Sequence, residues 1–348
     1  MDNLEPKEME ETVASNVGVE ATKKKENLKM FFWGMGGVVA LVLILSAGIG
    51  IYRVYAKSAT DKFTVAVATV LRLPALKVDG ERILYTAYLE DLKAIKNLRT
   101  YDQANNGQYA TITDEQMSDQ VLWRLTNNLL VEKAAKVFDV TVSSTDLDSL
   151  KSQILQQFKD TATAEKELKS RYGWDMDTYT QKVMRPYVLQ SKLDSEIQVD
   201  TTLSDEVKKL AEKVLQDIKA GANFASSATK YGQDGTATTG GDLGWFKKGD
   251  MVPEFETVAF ALKKGEMSQK LVETQYGYHI IRLDDMRTTT VKDSAGKSTQ
   301  QAEIRASHIL LRLPDLSWYL DKKARSATIH LYLNVHNPFT DYLNSKSQ

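Results

Sequence analysis

Between Met30 and Tyr52 the chain reads MFFWGMGGVVALVLILSAGIGIY, without one charged residue. An α-helix rises about 1.5 Å per residue, so a run of this length can cross a hydrocarbon core of about 30 Å. Such a segment is either held in lipid or removed as a signal, and in both cases it divides residues 1–29 from the rest of the chain. Ser46-Ala47-Gly48 offers the small residues of a cleaved signal peptide. Against that reading, the run is longer than an h-region of roughly 7 to 15 residues and a polar stretch stands before it. The expectation is an uncleaved transmembrane anchor over residues 30–55. Lys23, Lys24, Lys25 and Lys29 precede it, whereas only Arg53 and Lys57 closely follow. Positive-inside bias then puts the N-terminus in the cytoplasm and the rest outside, as in a single-pass protein of the cell membrane. Residues 1–29 mix acids with the lysine run and hold few large apolar side chains, so they read as a disordered cytoplasmic tail.

The 348 residues suffice for this anchor and two domains of ordinary size. With a formal net charge of -1 there is no bulk basic field, and nucleic acid is excluded as an expected partner. Cysteine is absent, which removes disulfides, thiolate catalysis, cysteine metal sites and an acylated lipoprotein cysteine. The four histidines are His279, His308, His330 and His336, with no pair at i, i+4. A zinc-protease helix therefore has no support, and neither a metal nor a cofactor is expected. His330 and His336 read as polar positions on an edge strand or loop.

After a short spacer, FTVAVATVLRLPALKVDGERI runs β-branched residues into an Asp79-Gly80 turn, and LYTAYLEDLKAIKNL comes next with apolar residues at helical spacing. The pattern predicts a strand, a turn and a helix. A Thr113-x-x-Gln116 capping box opens the next helix, through Phe138. Ser143 or Ser144 caps a further one over Leu147–Phe158. AEKELKSRYGW and MDTYTQKVMRPYVLQSKLDSEI add a helical pair in which Pro186 should kink or interrupt the last element. In the order of these pieces, KVDGERI, LLVEKAAKVFDVTVS and RYGWDMDTYTQKVMRPYVLQSKL, residues 60–200 resemble the N-terminal chaperone domain of SurA-like foldases.

Beyond Ser204, Val207, Leu210, Ala211, Val214, Leu215 and Ile218 recur at the spacing of an amphipathic helix, and a second short helix is expected over Phe224–Tyr231. GANFASSATKYGQD, GGDLGWF, GDMVPEFETVAFAL and KKGEMSQKLVETQYGYHIIRL then succeed one another. These four ordered motifs resemble the parvulin-type peptidyl-prolyl cis/trans isomerases. A parvulin opens with a strand containing Ser-His-Ile-Leu before its first helix. Here EIRASHILLRL, Glu303–Leu313, comes after the last motif, and no second GGDLGWF or MVPEF comes after it. The order reads as a circular permutation, with the polar MRTTTVKDSAGKSTQQAE as the new hairpin joint. The strand should pair antiparallel with YGYHIIRL and bring His308 beside His279; a neighbouring chain could supply it by swapping.

The expected fold is therefore α+β: one transmembrane helix, a mostly helical SurA-like chaperone domain, and a permuted parvulin domain (201–336) whose small antiparallel sheet has flanking helices. A tail, 337–348, ends the chain. The resemblance implies that Met251 and Phe255 floor a proline pocket with Leu243 beside them. It implies that His279 and His308 are the paired core histidines, with Asp234 nearby and Thr274 completing the network. The function implied is a membrane-anchored extracytoplasmic foldase. It would act on X-Pro bonds of secreted chains, bind unfolded segments and need no cofactor. The alternative is a non-enzymatic holdase or scaffold whose parvulin-like domain only binds.

Overall fold

The computed structural model describes residues 39–292 and 298–344. The expected cytoplasmic tail, the first residues of the anchor, the tip of the hairpin joint and the last four residues lie outside the described residues. Helix α1 (Val39–Lys57) has a mean hydropathy of 1.9 and leaves most of its side chains uncovered. By length and composition it can cross a membrane.

The chain divides into two units, each discontinuous in sequence. The first takes residues up to Thr126, then Glu165–Asp175 and Ala327 onward. It holds α1, α2 (Lys62–Val70), β1 (Pro74–Val78), β2 (Glu81–Leu84), α3 (Tyr85–Asn105), the start of α4 (Asp114–Val137) and all but the first turn of α6 (Thr161–Tyr172). The segment Lys62–Val70 is a helix, not the strand its β-branched residues suggest. Asp61 decides this locally, since its side chain accepts the Thr64 N–H as an N-cap, and such a cap outweighs the weak cost of β-branching. The strand begins only at Pro74 and turns at Asp79-Gly80. The Thr113–Gln116 capping box forms in both directions, at 3.0 and 3.1 Å.

The second unit takes Asn127–Ala164 and Met176–Ser326. Its helical part comprises the end of α4, α5 (Ser144–Leu155), α7 (Met176–Tyr179) and α8 (Arg185–Val199). Ser143 is the cap of α5 and closes a capping box with Asp146. Pro186 does not interrupt the chain's helical course. A π-turn over Thr180–Met184 precedes it, and the Arg185 N–H reaches back five residues to the Thr180 carbonyl. Proline has no N–H and its ring crowds the carbonyl four residues earlier; the wider turn accommodates both effects. Helix α9 (Thr201–Lys219) starts three residues before Ser204, because the Asp200 carboxylate accepts the Leu203 N–H at 2.9 Å.

The sheet of this unit contains β3 (Asp242–Lys247), β4 (Val272–Thr274), β5 (Gly277–Lys292) and β6 (Ser298–Arg312), in the order β3-β6-β5-β4. β5 and β6 pair antiparallel from Gly277↔Arg312 to Lys292↔Ser298, and β3 pairs antiparallel with the other edge of β6. Two-residue alternation sorts the side chains. Tyr278, Ile280, Ile309 and Leu311 pack on α9 and on α10 (Phe224–Tyr231). Ile281, Leu283, Ile304 and Ala306 face the opposite way, onto Phe255 and Ala259 of α11 (Pro253–Ala259). Helix α12 (Leu316–Ser326) closes a third cluster, in which Tyr319 joins Val131, Leu189 and Leu193.

The remaining strand, β7 (Ile329–Leu331), belongs to the first unit. It pairs with β1, opposite the edge taken by β2, to complete a three-stranded sheet. His330 sits exposed on that edge strand. Helix α13 (Pro338–Asn344) comes next, and Phe339 meets the Trp123 ring edge-on at 4.9 Å.

Candidate functional site

The hairpin of β5 and β6 determines where the histidines stand. In its register His279 opposes Leu310 and His308 opposes Ile281, so the two histidines are diagonal neighbours on one face. Their Nδ1 atoms are 3.1 Å apart and their rings lie 26° from parallel. Only 4% of His279 and 5% of His308 remain exposed.

The loop after α10 continues along the edge of β6 beyond its pairing with β3. Gln233 donates its N–H to the Leu310 carbonyl, and the His308 N–H goes to the Gly241 carbonyl at 2.8 Å. Gly241 has φ +87°, and a Cβ there would lie 2.1 Å from the His308 carbonyl oxygen. Only glycine permits the approach. Held this way, the loop brings the Asp234 carboxylate to 2.8 Å and the Thr236 hydroxyl to 3.1 Å from His308 Nε2. At the other end of the pair, the Thr274 hydroxyl is 2.9 Å from His279 Nε2 and accepts the Tyr276 N–H.

Phe255 roofs the pair. Its ring meets His279 at 5.3 Å and His308 at 5.7 Å, both nearly edge-on. Leu243 and Met251 pack half-buried against the same cluster as Phe255 and Phe246. An apolar lining thus adjoins a closed polar network. Burial pushes the His279 imidazole down to about 4, with repulsion from His308 adding to it and Asp234 opposing. Burial lowers His308 too, against the pull of Asp234. Desolvation raises the Asp234 carboxyl, but Thr236 and His308 outweigh it and leave the group below the usual carboxylate range. At neutral pH the pair is uncharged beside an ionised carboxylate.

All seven residues singled out from the sequence therefore lie in this unit, with His279, His308, Asp234 and Thr274 in one hydrogen-bonded chain. Sequence reasoning missed Thr236 and Gly241. The Asp-Gly-Thr and Gly-Gly segments that hold them were visible as turn signals, but not the partners they meet. Among the described residues, one further group brings metal-ligating atoms together: Glu115, Asp119 and His336 lie within 4.8 Å of one another in the first unit. They are exposed or half-buried, and His336 Nδ1 is hydrogen-bonded to Asp119 at 2.9 Å.

A fold and site of this kind define a class, and comparison with known proteins gives the same one. Residues 179–287 match the PPIC-type PPIASE domain. The chain thus carries a parvulin-type domain, and its homologues are foldases and chaperones. It is 41% identical over 128 residues to the foldase protein PrsA of Geobacillus kaustophilus, covering 36% of this chain and 38% of that one. It is 39% identical over 100 residues to the chaperone SurA of Cupriavidus metallidurans, 29% of this chain and 20% of the other. The foldase protein PrsA of Halalkalibacterium halodurans aligns over 212 residues at 29% identity, 53% of this chain and 63% of its own. The chain spans less than two thirds of the length of each of these relatives.

Proposed function

We propose that the chain is a membrane-anchored extracytoplasmic foldase that isomerises X-Pro bonds in secreted polypeptides and binds unfolded segments. The observation that carries this reading is the uncharged, buried His279–His308 pair under Phe255, adjoining half-buried Met251 and Leu243. Rotation about a prolyl bond faces about 18–20 kcal/mol, while the two isomers differ by only about 0.5–1 kcal/mol. The twisted amide loses its resonance and much of its polarity. An apolar cup that receives the proline ring and excludes water favours the twisted form over the planar one. No proton has to leave the substrate, and no cofactor is required. The histidine chain serves as a rigid wall with fixed dipoles.

In this reading β6 is the strand that parvulins carry before their first helix, moved to a place after the last strand. Two facts support it. The segment before α9 is the helix α8, and the matched domain ends at residue 287, short of β6. In the same reading α1 is the anchor, with the lysine-rich side in the cytoplasm.

The test is refolding of a proline-limited client by the full chain in detergent micelles. Phe255 is 3% exposed, so Phe255→Ala opens a cavity and costs about 3–5 kcal/mol of stability. Met251→Ala is the cleaner probe because Met251 is half-buried. The expected result is at least about a tenfold fall in kcat/KM with the thermal midpoint nearly kept. A wild-type chain that suppresses client aggregation but never speeds refolding would leave the holdase.

A further inference from the structure

The proton positions in the histidine chain are determined by the geometry, and they start at Thr236. Asp234 can only accept. Its Oδ1 takes the Thr236 hydroxyl at 2.7 Å and the Thr236 N–H at 3.2 Å. With its proton committed to Asp234, the Thr236 oxygen turns lone pairs toward His308 Nε2, 3.1 Å away, beside Asp234 Oδ2 at 2.8 Å. Two acceptors thus face one ring nitrogen, which must carry the hydrogen. A neutral His308 then has a bare Nδ1, so His279 donates its own Nδ1–H across the 3.1 Å contact. That leaves His279 Nε2 bare, and the Thr274 hydroxyl donates to it at 2.9 Å. The Thr274 oxygen in turn accepts the Tyr276 N–H at 3.1 Å.

We infer that Thr236 is a positioning residue: by clamping Asp234 it sets the hydrogen-bond direction of the whole chain, Thr274 to His279 to His308 to Asp234. The inference rests on the reading of these residues as the isomerase site, and deepens it. With Thr236 in place every polar hydrogen in the chain is already committed, so the wall presents one fixed dipole pattern to the substrate. Without its hydroxyl, Nε2 faces one acceptor instead of two, Asp234 can rotate, and the opposite tautomer of each histidine becomes accessible.

The protein has only four histidines, so nitrogen-15 labelling of histidine in the full chain in micelles gives a simple spectrum. The wild type should show Nε2–H on His308 and Nδ1–H on His279. Thr236→Val, close in shape but without the hydroxyl, should mix both tautomers and lower kcat about tenfold with KM little changed, since Thr236 does not line the apolar cup. Thr236→Ser should restore both readouts. Thr236→Val that keeps the wild-type tautomers and kcat overturns the inference. If that variant fails to fold, the wild-type spectrum still decides, because Nδ1–H on His308 contradicts the derived direction. Wild-type tautomers as derived, and mixed in Thr236→Val, in a chain that does not catalyse isomerisation support the positioning role and overturn the isomerase reading instead.

Discussion

At the scale of single residues, His279 couples stability to pH. Its folded value is depressed to about 4 by burial, so the unfolded chain takes up a proton near pH 6.5 that the folded one refuses. This contribution is complete above pH 6.5 and is lost as pH falls toward 4. By linkage it costs about 2 kcal/mol at pH 5 and about 3 kcal/mol near pH 4. His308 is lowered as well and acts in the same direction. Urea unfolding at pH 7 and pH 5 should show the midpoint dropping on acidification, with a shallower drop in His279→Gln. An equal drop in that variant would assign the effect to other groups. His279, His308, Asp234 and Thr274 were legible as residues because their motifs carry them. Thr236 was not, since a threonine in a polar loop is distinguished only by the carboxylate and imidazole that the fold brings to it.

Among the elements, β6 carries the most consequence. It lies between β3 and β5, and Ile309, wholly buried, packs on α9 and α10. Deleting residues 303–348 would also remove β7 and α13 of the first unit, so a point change is the better probe. Ile309→Asp buries an unpaired charge and should cost at least about 3 kcal/mol, enough to unfold or aggregate the domain, read by circular dichroism and light scattering. Gly241→Ala should loosen the loop that carries Asp234, because its Cβ would meet backbone oxygen and not a flexible side chain. Reduced refolding activity in a folded Gly241→Ala chain is the expected outcome. Most helices of both units were legible from spacing and caps, as at Thr113 and Ser143, but α13 stands in a segment that reads as a tail. The helix Lys62–Val70 was not, because a single cap at Asp61 overrode a β-branched run. The course through Pro186 was also hidden, since the π-turn that accommodates it has no signature in composition.

For the whole molecule, the apolar run makes a topological prediction. Reporter enzymes fused after residue 60 should be active only outside the cytoplasm, and cytoplasmic activity would remove the anchor assignment. Periodicity could not show that both units are discontinuous in sequence, because the return of residues 327–344 to the sheet of β1 depends on contacts between segments about 250 residues apart. The position of β6 has a consequence for a chain made from one end. At about 5–20 residues per second, β3 is finished roughly 3 to 13 s before β6 is complete, and until then the gap between β3 and β5 stays open. The β5–β6 hairpin can close within microseconds once its strands are free. Synthesis, and not sheet formation, therefore determines when the histidine pair exists. In the reading proposed above, the foldase is itself an unfinished polypeptide for those seconds.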